Sequence, residues 1–202
     1  AEGCNSNYKL SQGFRDKLGN IMLAISYRID FLPIIIDRIN NEAKSIYQLV
    51  KNRDKGKDKY AFDIPPELRY GLLVDIDSLI FELRSSCELM EKISKTISRY
   101  YKKFSTARFI EELPEKNWHN STWYLKLKEL RVEIFHHTAP YIDVDITHEP
   151  EYDLLFCKEN IHDYRKSDNF FRLSEVSKIH KDFVPSAFYL QDHIVNEINR
   201  LN

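Results

Sequence analysis

From Phe14 onward, apolar residues recur every three or four positions: Leu18, Ile21, Ile25, Ile29, Leu32, Ile36, Ile39, Ala43, Ile46 and Leu49. That spacing follows one face of an α-helix. The register passes through Pro33 without a slip, which predicts one long helix kinked at Pro33, or two helices meeting there. Residues 51–63 have no such stripe. Lys51, Arg53, Lys55, Lys57 and Lys59 alternate with Asp54, Gly56 and Asp58, the pattern of a solvated loop or of a basic strip lying against phosphate. Pro65 and Pro66 then open a second long helix. Its stripe is Leu72, Ile76, Leu79, Leu83, Cys87, Met90, Ile93, Ile97, Tyr101 and Phe104. A helix of that length spans roughly 45–50 Å at 1.5 Å per residue, and two packed antiparallel form the body of a bundle.

A polar connection over residues 105–120 precedes a third helix, with Asn120 or Ser121 as candidate caps. Its stripe is Trp123, Leu127, Leu130, Ile134 and His137, and Pro140 stops it. The period then changes from helix to strand. Ile142, Val144 and Ile146 alternate with Asp143, Asp145 and Thr147, which predicts a half-buried strand with its carboxylates facing outward. Residues 148–150 read as a turn, residues 152–158 as a second strand and residues 170–173 as a third. Ser174 is placed to cap a last helix with Val176, Ile179, Phe183, Ala187, Leu190, Ile194, Ile198 and Leu201 on one face. Pro185 is expected to kink or split it. The class is mainly α: an up-and-down bundle of four to five long helices with a small β-hairpin or sheet inserted before the last one. One unit covers residues 1–202, with a helical core over about 11–139 and 174–202 and the insertion at about 141–173.

With 202 residues, 43% of them hydrophobic, the chain has apolar material for one sizeable core. Its 30 Lys+Arg against 31 Asp+Glu leave a net charge of −1 and no global pull toward nucleic acid or anionic lipid. The longest apolar stretch, residues 21–36, contains Arg28, Asp30 and Pro33, and reads as a buried helix face in a protein without a membrane span. Cys4, Cys87 and Cys157 are odd in number and form no CxxC pair. That argues against a disulfide scaffold or thiolate zinc site and favours a reducing cytoplasm. Cys87 sits on an apolar stripe, as a small hydrophobe would. Glycine-rich phosphate loops and GxSxG elbows are missing.

Chemistry concentrates near the end of the third helix, where Arg131, Glu133, His136 and His137 fall within two turns. An imidazole can take the proton of a ribose 2′-hydroxyl or give one to a leaving 5′-oxygen. A guanidinium can neutralise charge building on phosphorane oxygens. Glu133 is spaced to hold either ring and raise its pKa. On a straight helix, however, Arg131 and His136 stand about 140° apart around the axis. Convergence on one phosphate requires a distorted helix end or a second chain.

Three weaker patterns accompany this one. Asp143, Asp145 and His148 follow the two histidines closely, so that His136, His137 and Asp143 form a candidate set for a divalent cation. Trp118, His119, Trp123 and Tyr124 suit either base stacking or packing at a helix entry. Arg99, Lys102, Lys103 and Arg108, mixed with Tyr100 and Tyr101, are candidates for RNA phosphate contacts.

A helical bundle whose late helix carries Arg and, four to six residues on, His resembles the HEPN superfamily. Here the intervening residues number four to His136 and five to His137, within Leu-Arg-x-x-Ile-x-His-His before a helix-ending proline. The resemblance covers the helices and not the strands. It implies a face-to-face homodimer and, in many members, metal-independent endoribonuclease activity that needs no cofactor, with Arg and His of both chains lining one cleft. Arg131 would contact phosphate and His136 would be the general acid or base, with Glu133 and His137 in support. The products would carry a 2′,3′-cyclic phosphate. Members recur in toxin–antitoxin and phage-defence systems, which implies an RNA substrate and an antitoxin-type protein partner; others are non-catalytic dimerisation or nucleic-acid- or protein-binding modules. Many active members have a polar residue directly after the arginine, where this chain has Val132.

Overall fold

Two long helices form the spine of the molecule. The computed structural model describes residues 12–52, 61–100, 122–136, 140–148, 151–158 and 166–201. Helix α1 is Gln12–Lys51 and helix α2 is Pro66–Tyr100; at 1.5 Å per residue they are about 60 and 52 Å long. They run antiparallel, with ion pairs Arg28–Glu82 (2.5 Å) and Arg38–Asp75 (2.7 Å) setting the offset. Helix α3 is Thr122–His136 and helix α4 is Leu173–Leu201. Both interior prolines are accommodated: α1 continues through Pro33 and α4 through Pro185. A helix-interior proline costs about 3 kcal/mol. The buried neighbours Leu32, Phe183 and Ala187 offset that cost, because breaking the helix would unseat them.

The strands are β1 (Ala61–Asp63), β2 (Tyr141–Asp145), β3 (Asp153–Cys157) and β4 (Phe170–Arg172). They form one antiparallel sheet in the order β1-β2-β3-β4. Three strands lie where the alternation puts them. The fourth, β1, lies within the stretch read as a loop, and it pairs with β2 through Ala61–Asp145, Phe62–Val144 and Asp63–Asp143. Three residues carry too short an alternation to be read locally, and a long-range partner decides their conformation. The sheet therefore draws on chain before α2 as well as on the segment before the last helix.

Ile142, Val144, Leu154, Phe156 and Phe171 cover one face of the sheet and join residues of all four helices in a single hydrophobic cluster. The opposite face departs from expectation. Asp143 and Asp145 are buried, alongside Leu155 and Cys157. A buried carboxylate needs partners, and both have them. Asp145 accepts bonds from the Thr147 amide and hydroxyl and from Arg172, and Cys157 Sγ donates to Asp143 at 3.6 Å.

The last helix also begins differently. Its first residue is Leu173, and the Arg172 amide donates to Glu175 at 3.1 Å, the return bond of a capping box. Ser174 does not act as the cap. Its hydroxyl donates to Asp153 at 2.6 Å, and Asp153 also accepts from the Ser174 amide.

Residues 21–36 do not form a wholly buried face. Ile21, Ile25 and Leu32 point inward, whereas Leu23, Tyr27, Phe31 and Ile34 are more than half exposed. Among the described residues α1 is the one helix long and apolar enough to cross a membrane, and 11% of its apolar window is buried.

Candidate functional site

Helix α3 leans on α2 and α4 through its apolar stripe, with Trp123, Leu127 and Leu130 all buried. Trp123 meets Phe183 edge-on at 5.7 Å. Trp123 and Tyr124 are therefore packing residues and not an open stacking platform, while Trp118 and His119 lie outside the described residues. Burying one face turns Arg131 outward. It is exposed, and among the described residues no carboxylate pairs with it. It closes a cleft of about 200 Å³ between α2 and α3, whose other walls are Ile80, Phe81, Arg84, Ser85 and Glu88.

The sequence reading missed Arg84. Its Nη1 donates to the Tyr124 hydroxyl at 2.8 Å, its Nε lies 3.2 Å from Glu88, and its guanidinium sits 5.7 Å from the Tyr124 ring. Burial works against its charge, but the Tyr124 bond and the nearby Glu88 more than restore it, and the net shift is upward. Lys128 Nζ also stands 4.6 Å from the centroid of the Tyr124 ring. Residues 124, 128 and 131 are spaced to share one helix face, a signal present in the sequence. The arrival of Arg84 from α2 is not.

Glu133 is half-buried, and its Oε2 is buried without a hydrogen-bond partner among the described residues. His136 is the last residue of α3, and the helix stays regular up to it, so the backbone positions of Arg131 and His136 keep their offset of about 140°. The distorted helix end is thus not found as far as His136. His137 lies outside the described residues, as do Lys102, Lys103, Arg108 and the basic residues 53–59, while Arg99 falls in the last turn of α2.

The Arg131 cleft adjoins an apolar surface. Phe81 also lines a shallow depression with Phe31, Ile35 and Ser78. From there exposed side chains extend along both long helices: Leu23, Tyr27 and Ile34 on α1, Tyr70 and Val74 on α2.

A second cleft, of about 440 Å³, lies at the far end of α1. Asp145 and His148, both singled out in the sequence, line it with Tyr47, Tyr152, Asp153 and Arg172. Burial, then the Asp153 carboxylate, push the Tyr47 hydroxyl up to about 12. The Asp145 and Asp153 carboxylates are already engaged by Arg172, Thr147 and Ser174, and Glu151 is the further carboxylate of the lining among the described residues. Among the described residues no three His, Cys, Asp or Glu side chains are grouped to hold a metal ion; Asp143 instead lies buried against Cys157.

No family model matches the chain, and neither a curated protein nor a solved structure matches it significantly.

Proposed function

We propose that this protein is a homodimeric, metal-independent endoribonuclease of HEPN type, acting on RNA in a toxin or phage-defence setting. The observation that carries the reading is the place of Arg131. Its guanidinium is exposed, has no carboxylate partner among the described residues, and closes a cleft whose Phe81 wall belongs to an exposed apolar face. In this reading a second copy covers that face. Two α3 helices then approach each other, and the Arg131 of one chain meets the His136 of the other, which a regular helix forbids within one chain.

The size of the face supports pairing. With aromatic side chains of about 150–250 Å², the exposed parts of Tyr27, Phe31, Tyr70 and Phe81 come to about 400 Å². Leu23, Ile34 and Val74 raise the patch to about 700 Å², above the roughly 300–600 Å² of a typical monomer and near the 800 Å² that each partner of a stable dimer buries.

In the reaction, His136 accepts the 2′-hydroxyl proton, the 2′-oxygen attacks phosphorus in line, and the 5′-oxygen leaves with a proton from a second imidazole. Arg131 offsets the charge gathering on the non-bridging oxygens. Glu133, whose buried Oε2 has no hydrogen-bond partner among the described residues, would accept an imidazole N–H in this reading. The test is RNA cleavage in EDTA by the wild type and by an Arg131→Ala/His136→Ala variant. Cyclic-phosphate ends from the wild type alone are expected.

One observation favours a second reading, a non-catalytic binding module. Val132, directly after Arg131, is 48% exposed and apolar, where a polar side chain would help hold substrate. No cleavage by a folded, dimeric wild type selects that reading.

A further inference from the structure

Along α2 the row Tyr70, Val74, Asp77 and Phe81 advances by four, three and four residues, so one carboxylate interrupts an apolar stripe. Tyr70, Val74 and Phe81 are each more than half exposed. Asp77 is half-buried and lines the shallow depression with Phe31, Ile35 and Ser78. Among the described residues no ion pair or hydrogen bond engages its carboxylate, and burial pushes its pKa up. The charged groups around it are committed. Glu82, in the same lining, is paired with Arg28 of α1, and Arg38 is paired with Asp75. In the other cleft that Phe81 lines, Arg84 faces Glu88, and Arg131 is the cation that the homodimer reading gives to RNA. Asp30 is exposed at the matching place on α1, between Tyr27 and Ile34. An isologous pair brings one patch against itself. A second copy therefore offers Asp77 apolar side chains, further aspartates and guanidiniums already paired. It removes water from the carboxylate without supplying a free cation. An unpaired charge so desolvated takes up a proton.

We propose that Asp77 is a proton-operated lock on self-association: a second copy closes over the face when the Asp77 carboxyl is neutral, and its ionisation loosens the pair. On the homodimer reading, on which this rests, pairing brings Arg131 of one chain to His136 of the other, so Asp77 governs assembly of the site. Association is strongest below the carboxyl's value in the single chain. It weakens as pH rises through the higher value in the pair.

Sedimentation equilibrium of the full chain between about pH 5 and 8 measures the dimer constant of the wild type and of Asp77→Asn. One proton taken up per pair changes that constant about tenfold per pH unit, and two change it up to about a hundredfold. The wild type is expected to dimerise at least about tenfold more tightly at the acid end than at the alkaline end. Asp77→Asn at the alkaline end is expected to match the wild type at the acid end within about threefold. Histidines and other acids titrate alike in both proteins, so the difference between them isolates Asp77. Asp77→Ser takes the place of Asp77→Asn if the amide variant does not fold. A wild-type dimer indifferent to pH, or one whose pH dependence a folded neutral variant shares, overturns the lock and leaves the homodimer. A wild-type dimer that weakens in acid while the variant does not shows that a cation of the partner meets the carboxylate, which overturns the lock likewise. Wild type and neutral variant both monomeric at every pH remove the homodimer reading and the lock together.

Discussion

Arg172 on β4 reaches across β3 to place its Nη1 2.8 Å from Oδ2 of Asp145 on β2. The same guanidinium lies 3.8 Å from Asp153, which caps α4, so one cation ties three strands to the last helix. Asp145 is only 6% exposed, and losing its partner leaves a charge with little water. Breaking a fully buried pair costs about 3–5 kcal/mol. Because the Arg172 side chain is 35% exposed, screening reduces the expected cost of Arg172→Ala to about 1–3 kcal/mol. Urea denaturation measures it, and a cost below about 0.5 kcal/mol would show that solvent replaces the guanidinium.

The same network sets the response to acid. Burial pushes the Asp145 carboxyl up, but hydrogen bonds from Thr147 and the Arg172 charge leave it below its ordinary value. Glu175 behaves alike: burial raises it, and Lys126 and the Arg172 amide bring it net below. Both contribute stability that is present above their unfolded values, near pH 4, and is lost as pH falls through the lower folded ones. Thermal melts between about pH 5 and 2 are expected to drop steeply, and the drop should be shallower in Asp145→Asn.

Glu42 has the opposite sign. Burial first, then the Asp75 carboxylate, raise its pKa, against a smaller pull from Arg38. Stability is therefore greatest below its unfolded value, near pH 4.3, and is lost as pH rises through the folded one. Glu42→Gln is expected to raise the melting temperature at pH 7 and to leave it unchanged near pH 3. A Cβ on Gly71 would stand 2.8 Å from Glu42 Oε1. The gain of about 1 kcal/mol that Gly→Ala brings to a helix should thus appear fully at position 71 only when Glu42 is also alanine. A double-mutant cycle reads that coupling.

Cys87 has its thiol pushed up to about 12, mainly by burial, so at pH 8 almost none is thiolate. Iodoacetamide should modify it only at the rate of unfolding. Fast labelling in native buffer would show that the α2 core opens locally.

Phe31 lies near the middle of the exposed apolar face. If a second copy covers that face, Phe31→Glu should weaken the dimer at least about 30-fold, the loss expected for a central anchor. Sedimentation equilibrium of both proteins decides this. A monomeric wild type that co-floats with lipid vesicles would reassign the face to a membrane surface.

Periodicity alone determined the helices and three of the four strands, because repeats of three to four and of two residues report which side of an element meets the core. The helices continue through Pro33 and Pro185, where local cost and distant burial compete and only packing settles the balance. Tertiary structure also decided that Ala61–Asp63 is a strand, that Asp143 and Asp145 are buried on the sheet face away from the main core, and that Arg172 and Asp153 form the start of α4. Each of these depends on partners far away in the chain. The candidate site divides in the same way. Arg131, Glu133 and His136 were legible because they share one short helix, and so was the common face of Tyr124, Lys128 and Arg131. Arg84 joins them from 40 residues before Tyr124, and the apolar face emerges only when α1 and α2 lie side by side. A linear pattern shows that a residue is apolar or charged, while the folded chain decides whether anything covers or pairs with it.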